Sequence, residues 1–263
     1  MTVTTRFSLL ALATLLTACG EPPVLEGVVT DAWGKPVEAA TVQLEGVVDQ
    51  TTTDANGVFH FPRPEGTQRL MAGKDGYIKN TATVTIPTDE DEPQPRPEIA
   101  LYPEPERPGF YAVGRQPPLH HLEAKRIKTV GTEIRARTGL PDIGSQTLQS
   151  AENLRFVFSS TLRSSDLSRL DLQLHKLEFI DHDPVPGVLG EEEIKVNLWV
   201  ATETQKFDIK GLPSKDDYLI TIRGKLEPGA YAFHTEGLLT SNEVDVLAKT
   251  PKEMQVAYPF EIK

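Results

Sequence analysis

From Val24 onward the chain consists of short β-like runs separated by Gly, Asp, Asn and Pro. No long segment repeats its apolar residues with the 3.6-residue period of an amphipathic helix. Short strands at regular spacing, bounded by turn-forming residues, are typical of sandwiches and barrels. We therefore predict an all-β protein. The short β-like runs in the first half of the chain indicate a β-sandwich there.

The strands of the first half can be placed from these runs, and one turn joins two of them. Asp54-Ala55-Asn56-Gly57 contains an Asn-Gly pair, which favours positive φ, so we expect a hairpin turn there. Val28, Val42, Leu44 and Phe59 are expected to face a common core. The predicted strands are Val24–Val29, Ala40–Leu44, Val47–Thr53, Val58–Phe61, Arg69–Ala72 and Ala82–Ile86.

Three spaced segments of this half resemble a known family. The segments are Gly27–Leu44, Thr51–Phe61 and Gly73–Ile78, and together they resemble the carboxypeptidase regulatory-like domain. The resemblance covers residues 24–102 and implies a transthyretin-like, Ig-like β-sandwich. It also implies a noncatalytic structural or binding accessory, because the zinc ligands and catalytic glutamate of the associated peptidases belong to a different domain.

A proline-rich stretch marks the end of this first domain. Seven prolines lie from Pro87 to Pro108. We expect a stiff solvated loop over Pro87–Pro97, a last strand over Glu98–Tyr102 and a semi-rigid linker over Pro103–Pro108. The chain therefore divides into a domain at 24–102, a linker at 103–108 and a second domain at 109–263.

The second domain is also β-rich, and its residues do not point to a specific family. Aliphatic residues occupy every second position in one run, as expected of a half-buried strand. They are Ile194, Val196, Leu198 and Val200. A phase shift between the Leu170–Leu174 and Leu177–Phe179 alternations indicates a bulge near His175. Further predicted elements are strands at Tyr218–Arg223 and Val256–Ile262 and a short helix around Ser164–Arg169. The fold expected is a second sandwich or a barrel.

A short motif occurs twice in the second domain. Pro108–Ala112 has the sequence PGFYA and Pro228–Ala232 has PGAYA. Either an internal duplication or two similar entries from a turn into a strand would explain it.

The N-terminus has the layout of a secretory signal. Arg6 precedes the apolar stretch Ser8–Leu16, which is shorter than the ~20 residues of a membrane-spanning helix. Leu16-Thr17-Ala18-Cys19 resembles a bacterial lipobox. This resemblance implies a signal peptide at 1–18, lipid modification of Cys19 and a short tether at 19–23.

A lipid-modified Cys19 would fix the location of the protein. Two or more acyl chains make membrane attachment durable, whereas one holds only marginally. Gly20 follows the cysteine, in place of the aspartate that resembles an inner-membrane retention signal. We therefore expect a lipid-anchored cell-envelope protein, in the outer membrane if the cell is Gram-negative.

Charge and cysteine content exclude several classes of function. The formal net charge is −11, which argues against nucleic-acid binding. Cys19 is the single cysteine, so the sequence has no pair for an intrachain disulfide and no multi-cysteine zinc site.

Candidate catalytic and metal-binding clusters are weak. Adjacent His120 and His121 on a strand would point to opposite faces. Asp181-His182-Asp183 is best explained as a solvated turn, and Glu191-Glu192-Glu193 as a strand entrance. The sequence contains no G-x-S-x-G elbow and no phosphate-binding glycine loop. We therefore predict no catalytic residue, no metal and no cofactor, although His60 and His234 remain available as bases.

One basic segment and one tryptophan form a candidate binding surface. If Gly131 turns a hairpin, Arg135 and Arg137 share a face. The segment would then meet anionic head groups, glycans or the acidic loop of the first domain, unless its charges are merely solvated. Trp199 is either covered by another layer or exposed as a contact platform, whereas Trp33 is expected to pack locally. The surface comprises Arg126, Lys128, Arg135, Arg137 and Trp199, with Lys125 beside them.

These observations favour a noncatalytic envelope lipoprotein. The first sandwich would act as a stalk, and the second domain would bind an envelope protein, peptide or glycan. A periplasmic hydrolase with its site in residues 109–263 is one alternative. A structural subunit of a surface or secretion assembly is another.

Overall fold

A computed structural model describes the chain from residue 24 onward, with gaps. The described residues are 24–46, 48–89, 92–131, 136–150, 152–160, 171–187, 190–214, 216–235, 237–240, 247, 249–250 and 252–263, with backbone alone at 184–187, 190–194 and 253. The predicted signal peptide, Cys19, the tether, Arg135 and the Ser164–Arg169 helix lie outside the described residues.

In the first half, the described residues form eight short strands in two four-stranded sheets. One sheet has the order β4-β1-β8-β6 and the other β3-β2-β5-β7. Strand β1 pairs antiparallel with β4 and parallel with β8. The strands are β1 (Val24–Asp31), β2 (Thr41–Leu44), β3 (Gln50–Thr52), β4 (Val58–Pro62), β5 (Gly66–Gly73), β6 (Tyr77–Ile78), β7 (Asn80–Ile86) and β8 (Glu98–Pro103).

A buried apolar core lies between these two sheets, which confirms the predicted first sandwich. Leu25, Val42, Phe59, Leu70 and Leu101 are all fully buried in it. Alternate residues of a strand face opposite sides of its sheet. The inward-facing side chains of the two sheets therefore meet and fill one layer between them.

Two details of the first sandwich differ from the prediction. Leu25 and Val29 face the core, so Val28 lies between them on the outer side of β1 and is only partly buried. The predicted strand Val47–Thr53 shortens to β3, since Val48 is 94% exposed.

The turn before β4 joins opposite sheets instead of forming a hairpin. Asp54 Oδ1 accepts hydrogen bonds from the backbone N–H groups of Asn56 and Val58, both at 2.8 Å. Gly57 has φ +73°, and a Cβ there would overlap the carbonyl oxygen of Val29. Only glycine fits this close approach without strain.

In the second half, the described residues form thirteen strands. Its described elements also include one turn of 3₁₀ helix, Lys252–Met254. The strands are β9 (Gly109–Val113), β10 (Leu119–Leu122), β11 (Lys125–Arg126), β12 (Lys128–Gly131), β13 (Ala136–Gly139), β14 (Thr147–Leu148), β15 (Arg155–Ser159), β16 (Leu172–Gly187), β17 (Gly190–Gln205), β18 (Phe207–Gly211), β19 (Asp217–Ile222), β20 (Gly229–Thr235) and β21 (Val256–Ile262).

Two of its sheets form a second sandwich. One has the order β10-β9-β15-β19-β18, and the other has β11-β21-β20-β16-β17 with β14 beside β21. Phe110 and Phe156 from the first of these sheets pack with Phe233 and Phe260 from the second. Each of these sheets ends in edge strands, whereas a barrel is a single sheet closed on itself. Of the two predicted folds, the sandwich is therefore the one observed.

The local irregularities of this half follow the sequence. The register of β16 with β17 shifts between His175 and Leu177, which confirms the bulge. Tyr111 and Tyr231 of the repeated motif each donate a 2.7 Å hydrogen bond to the carbonyl four residues earlier. The glycines of the two motifs have φ +149° and +147°. The motif therefore specifies the same entry into a strand twice, once in each sheet.

Within the described part of the chain, no helix has the length and apolar character needed to cross a bilayer.

Candidate functional site

The two sandwiches are packed against each other through a buried apolar cluster. Ala32, Ile78 and Tyr102 belong to the first sandwich, and Tyr111 and Val157 belong to the second. All five are buried. Trp33 packs at the margin of this cluster, directly after Ala32. The segment between β8 and β9 therefore connects two sandwiches in direct contact.

Arg155 provides a polar tie across this junction. Its guanidinium donates a 2.7 Å hydrogen bond to the carbonyl of Ala32 and a 3.2 Å hydrogen bond to the hydroxyl of Tyr102. The guanidinium carbon also lies 5.7 Å from the centre of the Tyr102 ring, within cation–π range. These contacts fix the orientation of the two sandwiches.

Lys210 makes a second polar tie. Its Nζ donates to Asn80 Oδ1 at 2.9 Å and to the carbonyl of Thr81 at 2.8 Å. Asn80 is buried, and its amide donates to the carbonyl of Ala100 at 2.7 Å. Partial burial lowers the pKa of Lys210, and the positive charge of Arg69 lowers it further.

A groove of about 1060 Å³ opens beside this junction. Its floor is the outer face of β2 and β5, where Gln43 and Met71 lie opposite each other. One wall is the segment Gly73–Lys79 with the ring of Tyr77, and the opposite wall is formed by Pro213, Ser214 and Asp217 of the second sandwich. Both sandwiches therefore contribute to the groove, which we call the junction groove.

Local structure explains how the first wall is built. Gly73 has no side chain, so the stem of Lys79 lies across it, and a Cβ there would stand 2.9 Å from Lys79 Cγ. Gly76 has φ +79°, which turns the chain between β5 and β6. Tyr77 packs its ring against the core of the first sandwich while lining the groove.

The lining of the junction groove mixes polar and apolar surface in about equal parts and carries both signs of charge. Lys74 and Lys79 are the cations, and Asp75, Glu104 and Asp217 are the anions. Ser214 Oγ donates a 2.7 Å hydrogen bond to Asp217, and Lys74 donates a 2.7 Å hydrogen bond to the carbonyl of Glu38. Such a lining can donate and accept hydrogen bonds.

A smaller recess of about 460 Å³ lies behind Glu104. His121 lines it, and Arg107 lies 3.3 Å from His121 Nδ1. Burial lowers the pKa of His121, and the positive charge of Arg107 lowers it further. His121 and His120 are adjacent on β10, and they contact Gly109 and Gly114 respectively from opposite sides of the strand.

The predicted basic surface is partly neutralised by carboxylates from elsewhere in the chain. Arg137, on the β12–β13 hairpin predicted around Gly131, binds the buried Asp183 through Nε at 2.8 Å. Lys125 binds Glu123 at 3.2 Å and Asp142 at 3.0 Å. Arg126 and Lys128 are exposed, and the Arg126 guanidinium donates to the carbonyl of Lys252.

Trp199 is partly buried. Its backbone exchanges hydrogen bonds of 2.8 and 2.9 Å with Leu140. Its ring lies 5.5 Å from that of Phe179, directly opposite it on β16. The hairpin that carries Leu140 thus covers one side of Trp199, and Phe179 is the more exposed member of the aromatic pair.

The prediction of a solvated turn at Asp181–Asp183 is wrong. These residues lie inside β16, with a second register shift between Ile180 and His182. Among the described residues, β20 pairs only with Leu172–Leu177 of β16. Pro184 and Pro186 lie beyond this pairing, where the lack of a backbone N–H costs no hydrogen bond to β20. Glu191–Glu193 come directly after the first residue of β17, as expected of a strand entrance.

Sequence reasoning missed a buried pair of histidines. His175 and His234 are 4% and 2% exposed, and His175 Nδ1 lies 2.8 Å from His234 Nε2. His234 Nδ1 donates to the carbonyl of Thr235 at 2.7 Å, and Thr204 Oγ1 lies 2.9 Å from His175 Nε2. In the sequence, only the phase shift of the apolar alternation marked the position of His175.

This chain of hydrogen bonds fixes the protons of both rings. A carbonyl only accepts, so His234 carries its proton on Nδ1 and accepts at Nε2. His175 then donates from Nδ1, and the Thr204 hydroxyl donates to His175 Nε2. Burial lowers the pKa of His234 from 6.5 to about 4 and also lowers that of His175. The described residues include no group of three or more His, Cys, Asp or Glu side chains that could hold a metal ion.

Comparison with known proteins confirms the family of the first sandwich. Residues 24–98 match the model of the carboxypeptidase regulatory-like domain. Carboxypeptidase Z of Rattus norvegicus is 38% identical and that of Mus musculus 36% identical over 63 residues. Each alignment covers 24% of this chain and 10% of the relative, so the chain spans about a tenth of the curated relatives it matches.

The solved structures that align with most of this chain have low TM-scores. The major pilin subunit of Bacillus cereus is 13% identical with a TM-score of 0.23, covering 91% of this chain and 68% of that one. A proposed carbohydrate-binding protein from Bacteroides uniformis is 9% identical with a TM-score of 0.23, covering 81% and 88%. Scores of this size support no inference about this chain.

Proposed function

We propose that this protein is a noncatalytic binding protein of the bacterial cell envelope whose ligand lies in the junction groove. The observation that carries the proposal is that both sandwiches form the walls of this groove and are held together by buried contacts. A site that is shaped before its ligand arrives loses less entropy on binding. In this proposal the first sandwich contributes to the site and is more than a stalk.

The lining favours binding over hydrolysis. Ser214 and Asp217 are hydrogen-bonded to each other, but no histidine is among the described residues that line the groove. A serine nucleophile needs an adjacent base to be activated. The imidazoles of His175 and His234 are both buried, and neither is among the residues that line the groove.

The membrane location of this function rests on the lipobox-like residues Leu16–Cys19. Acylation of Cys19 would tether the first sandwich, with the groove, close to the lipid surface. A groove in that position would meet a component of the envelope. In a Gram-negative cell, Gly20 after the cysteine favours the outer membrane.

Hydrogen–deuterium exchange of the lipidated chain tests the site. The mature protein in detergent is compared with and without a solubilised envelope fraction from the cells that produce it. We expect slower exchange in both walls, at residues 73–79 and 213–217. Slower exchange restricted to residues 125–140 and 199, or none anywhere, would contradict the assignment of the groove.

A further inference from the structure

We propose that the junction groove binds a neutral oligosaccharide chain. This inference rests on the proposed function and names the class of its ligand. Thr41 pairs with Gly73 and Gln43 pairs with Met71 across β2 and β5, so the backbone of the floor is already hydrogen-bonded within a sheet. A ligand that lies on the floor must therefore form its hydrogen bonds there with side chains.

This floor disfavours an extended peptide. Peptides are commonly bound by adding a strand to a sheet edge, where backbone N–H and C=O groups are free. Strands β2 and β5 are interior strands of the sheet order β3-β2-β5-β7, and the groove lies over their face. The polar backbone of a peptide would thus lack its usual partner.

The side chains match the groups of a sugar. Gln50 lies on β3 beside the floor with an amide group that both donates and accepts, and Ser214 brings a hydroxyl to the opposite wall. Sugar hydroxyls also donate and accept, so each can bond to such a side chain in either direction. The Ser214 hydroxyl is held in position by Asp217.

Tyr77 supplies the one aromatic surface of the described lining. A sugar ring has a face of C–H groups, which packs on an aromatic ring. Tyr77 is partly buried against the first core, which holds its ring in place, and it carries a polar tip. An apolar lipid chain would leave the polar and charged side chains of this lining without hydrogen-bond partners.

The charges of the groove favour a neutral ligand. Lys74 and Lys79 lie on the same wall as Asp75, and Glu104 and Asp217 add two further anions. A polyanion would meet like charges from three carboxylates, and a polycation would meet two ammonium groups. A groove of about 1060 Å³ is slightly larger than the ~300–1,000 Å³ typical of ligand pockets, so it has room for several sugar units.

Titration calorimetry with defined sugars tests the inference. The lipidated mature chain is kept in lauryldimethylamine oxide, because maltoside and glucoside detergents carry sugar head groups. The probes are chitotetraose, maltotetraose and cellotetraose. We expect saturable binding of at least one probe with a Kd of about 1 mM or tighter.

Three variants and one control place the binding in the groove. Tyr77→Ala is expected to weaken binding about tenfold, and Gln50→Ala and Ser214→Ala each about threefold to tenfold. Thr83→Ala, on the exposed surface of β7 outside the groove lining, should bind as the wild type does. Because Tyr77 also packs on the core, the two other variants keep the test valid if Tyr77→Ala fails to fold.

The outcomes separate this inference from the proposed function. Sugar binding that all three groove variants leave unchanged would overturn the inference. Absence of sugar binding would also overturn it, and exchange protection of the groove by the envelope fraction would then leave the proposed function standing. Absence of both would overturn both.

Discussion

The guanidinium of Arg155, on the second sandwich, lies 5.7 Å from the ring centre of Tyr102, on the first, and donates a 3.2 Å hydrogen bond to its hydroxyl. This contact, together with the bond to Ala32, links the two sandwiches beside the buried junction cluster. Relative domain motion is the ordinary expectation for two domains in one chain unless their interface is large and apolar. Here the interface is apolar at its centre, and Arg155 ties one side of it.

Replacement of Arg155 should loosen this junction. Arg155→Met removes two hydrogen bonds from a charged donor, so we expect a loss of about 1–3 kcal/mol in the free energy of unfolding. Urea unfolding followed by tryptophan fluorescence measures it, and Trp33 reports on the junction. Arg223→Met removes only an exposed ion pair with Asp208, which solvent screens, so it should cost clearly less than Arg155→Met. Equal losses in the two variants would contradict the role of Arg155.

The buried histidine pair should make stability depend on pH. The pKa of His234 falls from 6.5 in the unfolded chain to about 4 in the folded protein, so the unfolded chain takes up its proton first as the pH falls. The free energy of unfolding should therefore decrease from about pH 6.5 down to about pH 4, by on the order of 3 kcal/mol. Chemical unfolding at a series of pH values measures this slope.

A variant isolates this contribution. His234→Gln has no proton to bind, so the slope between pH 6.5 and pH 4 should become shallower even if the variant is less stable throughout. His60, which is exposed on β4, provides the control, and His60→Gln should retain the full slope. A slope that is the same in wild type and His234→Gln would show that other groups cause the pH dependence.

Gly57 should be far less tolerant of a side chain than Gly76. Both have positive φ, of +73° and +79°, so alanine at either position costs about 1–2 kcal/mol in backbone strain. At Gly57 the new Cβ would also overlap the carbonyl oxygen of Val29, whereas a Cβ on Gly76 meets nothing within 4 Å. We expect Gly57→Ala to lower the thermal midpoint clearly more than Gly76→Ala. Similar midpoints would refute the close approach.

The lipid anchor is tested by replacing its attachment site. We expect Cys19→Ser to remain an uncleaved or unacylated precursor, because a serine cannot form the thioether. The wild-type protein should enter the detergent phase of a phase-separating detergent and carry acyl chains by mass spectrometry. Gly20→Ser, one residue later, should be processed normally. Acylation or signal cleavage of Cys19→Ser at the normal position would contradict the anchor.

The strands and the bulge could be predicted because their signals are local. The alternation around His175 changes phase within a few residues, and strand period alone reveals this. The facing of β1 was misjudged by one residue, at Val28 and Val29, because both are apolar valines and only the neighbouring sheet decides which of them points inward.

The junction groove could not be predicted, because its lining is assembled from distant segments. Lys74-Asp75-Gly76-Tyr77 was noticed only for its family resemblance, and its opposite wall lies more than a hundred residues later in the chain. The same reason explains Arg137. Its partner Asp183 is 46 residues away and comes from a segment that was expected to be a turn.

A crystal structure of the mature chain with a bound tetrasaccharide would show whether the sugar lies in the junction groove. We expect sugar density between the outer face of β2 and β5 and the residues Pro213 and Ser214, with one ring against Tyr77. Density at Arg126, Lys128 and Trp199 instead, with the groove filled only by solvent, would contradict this expectation.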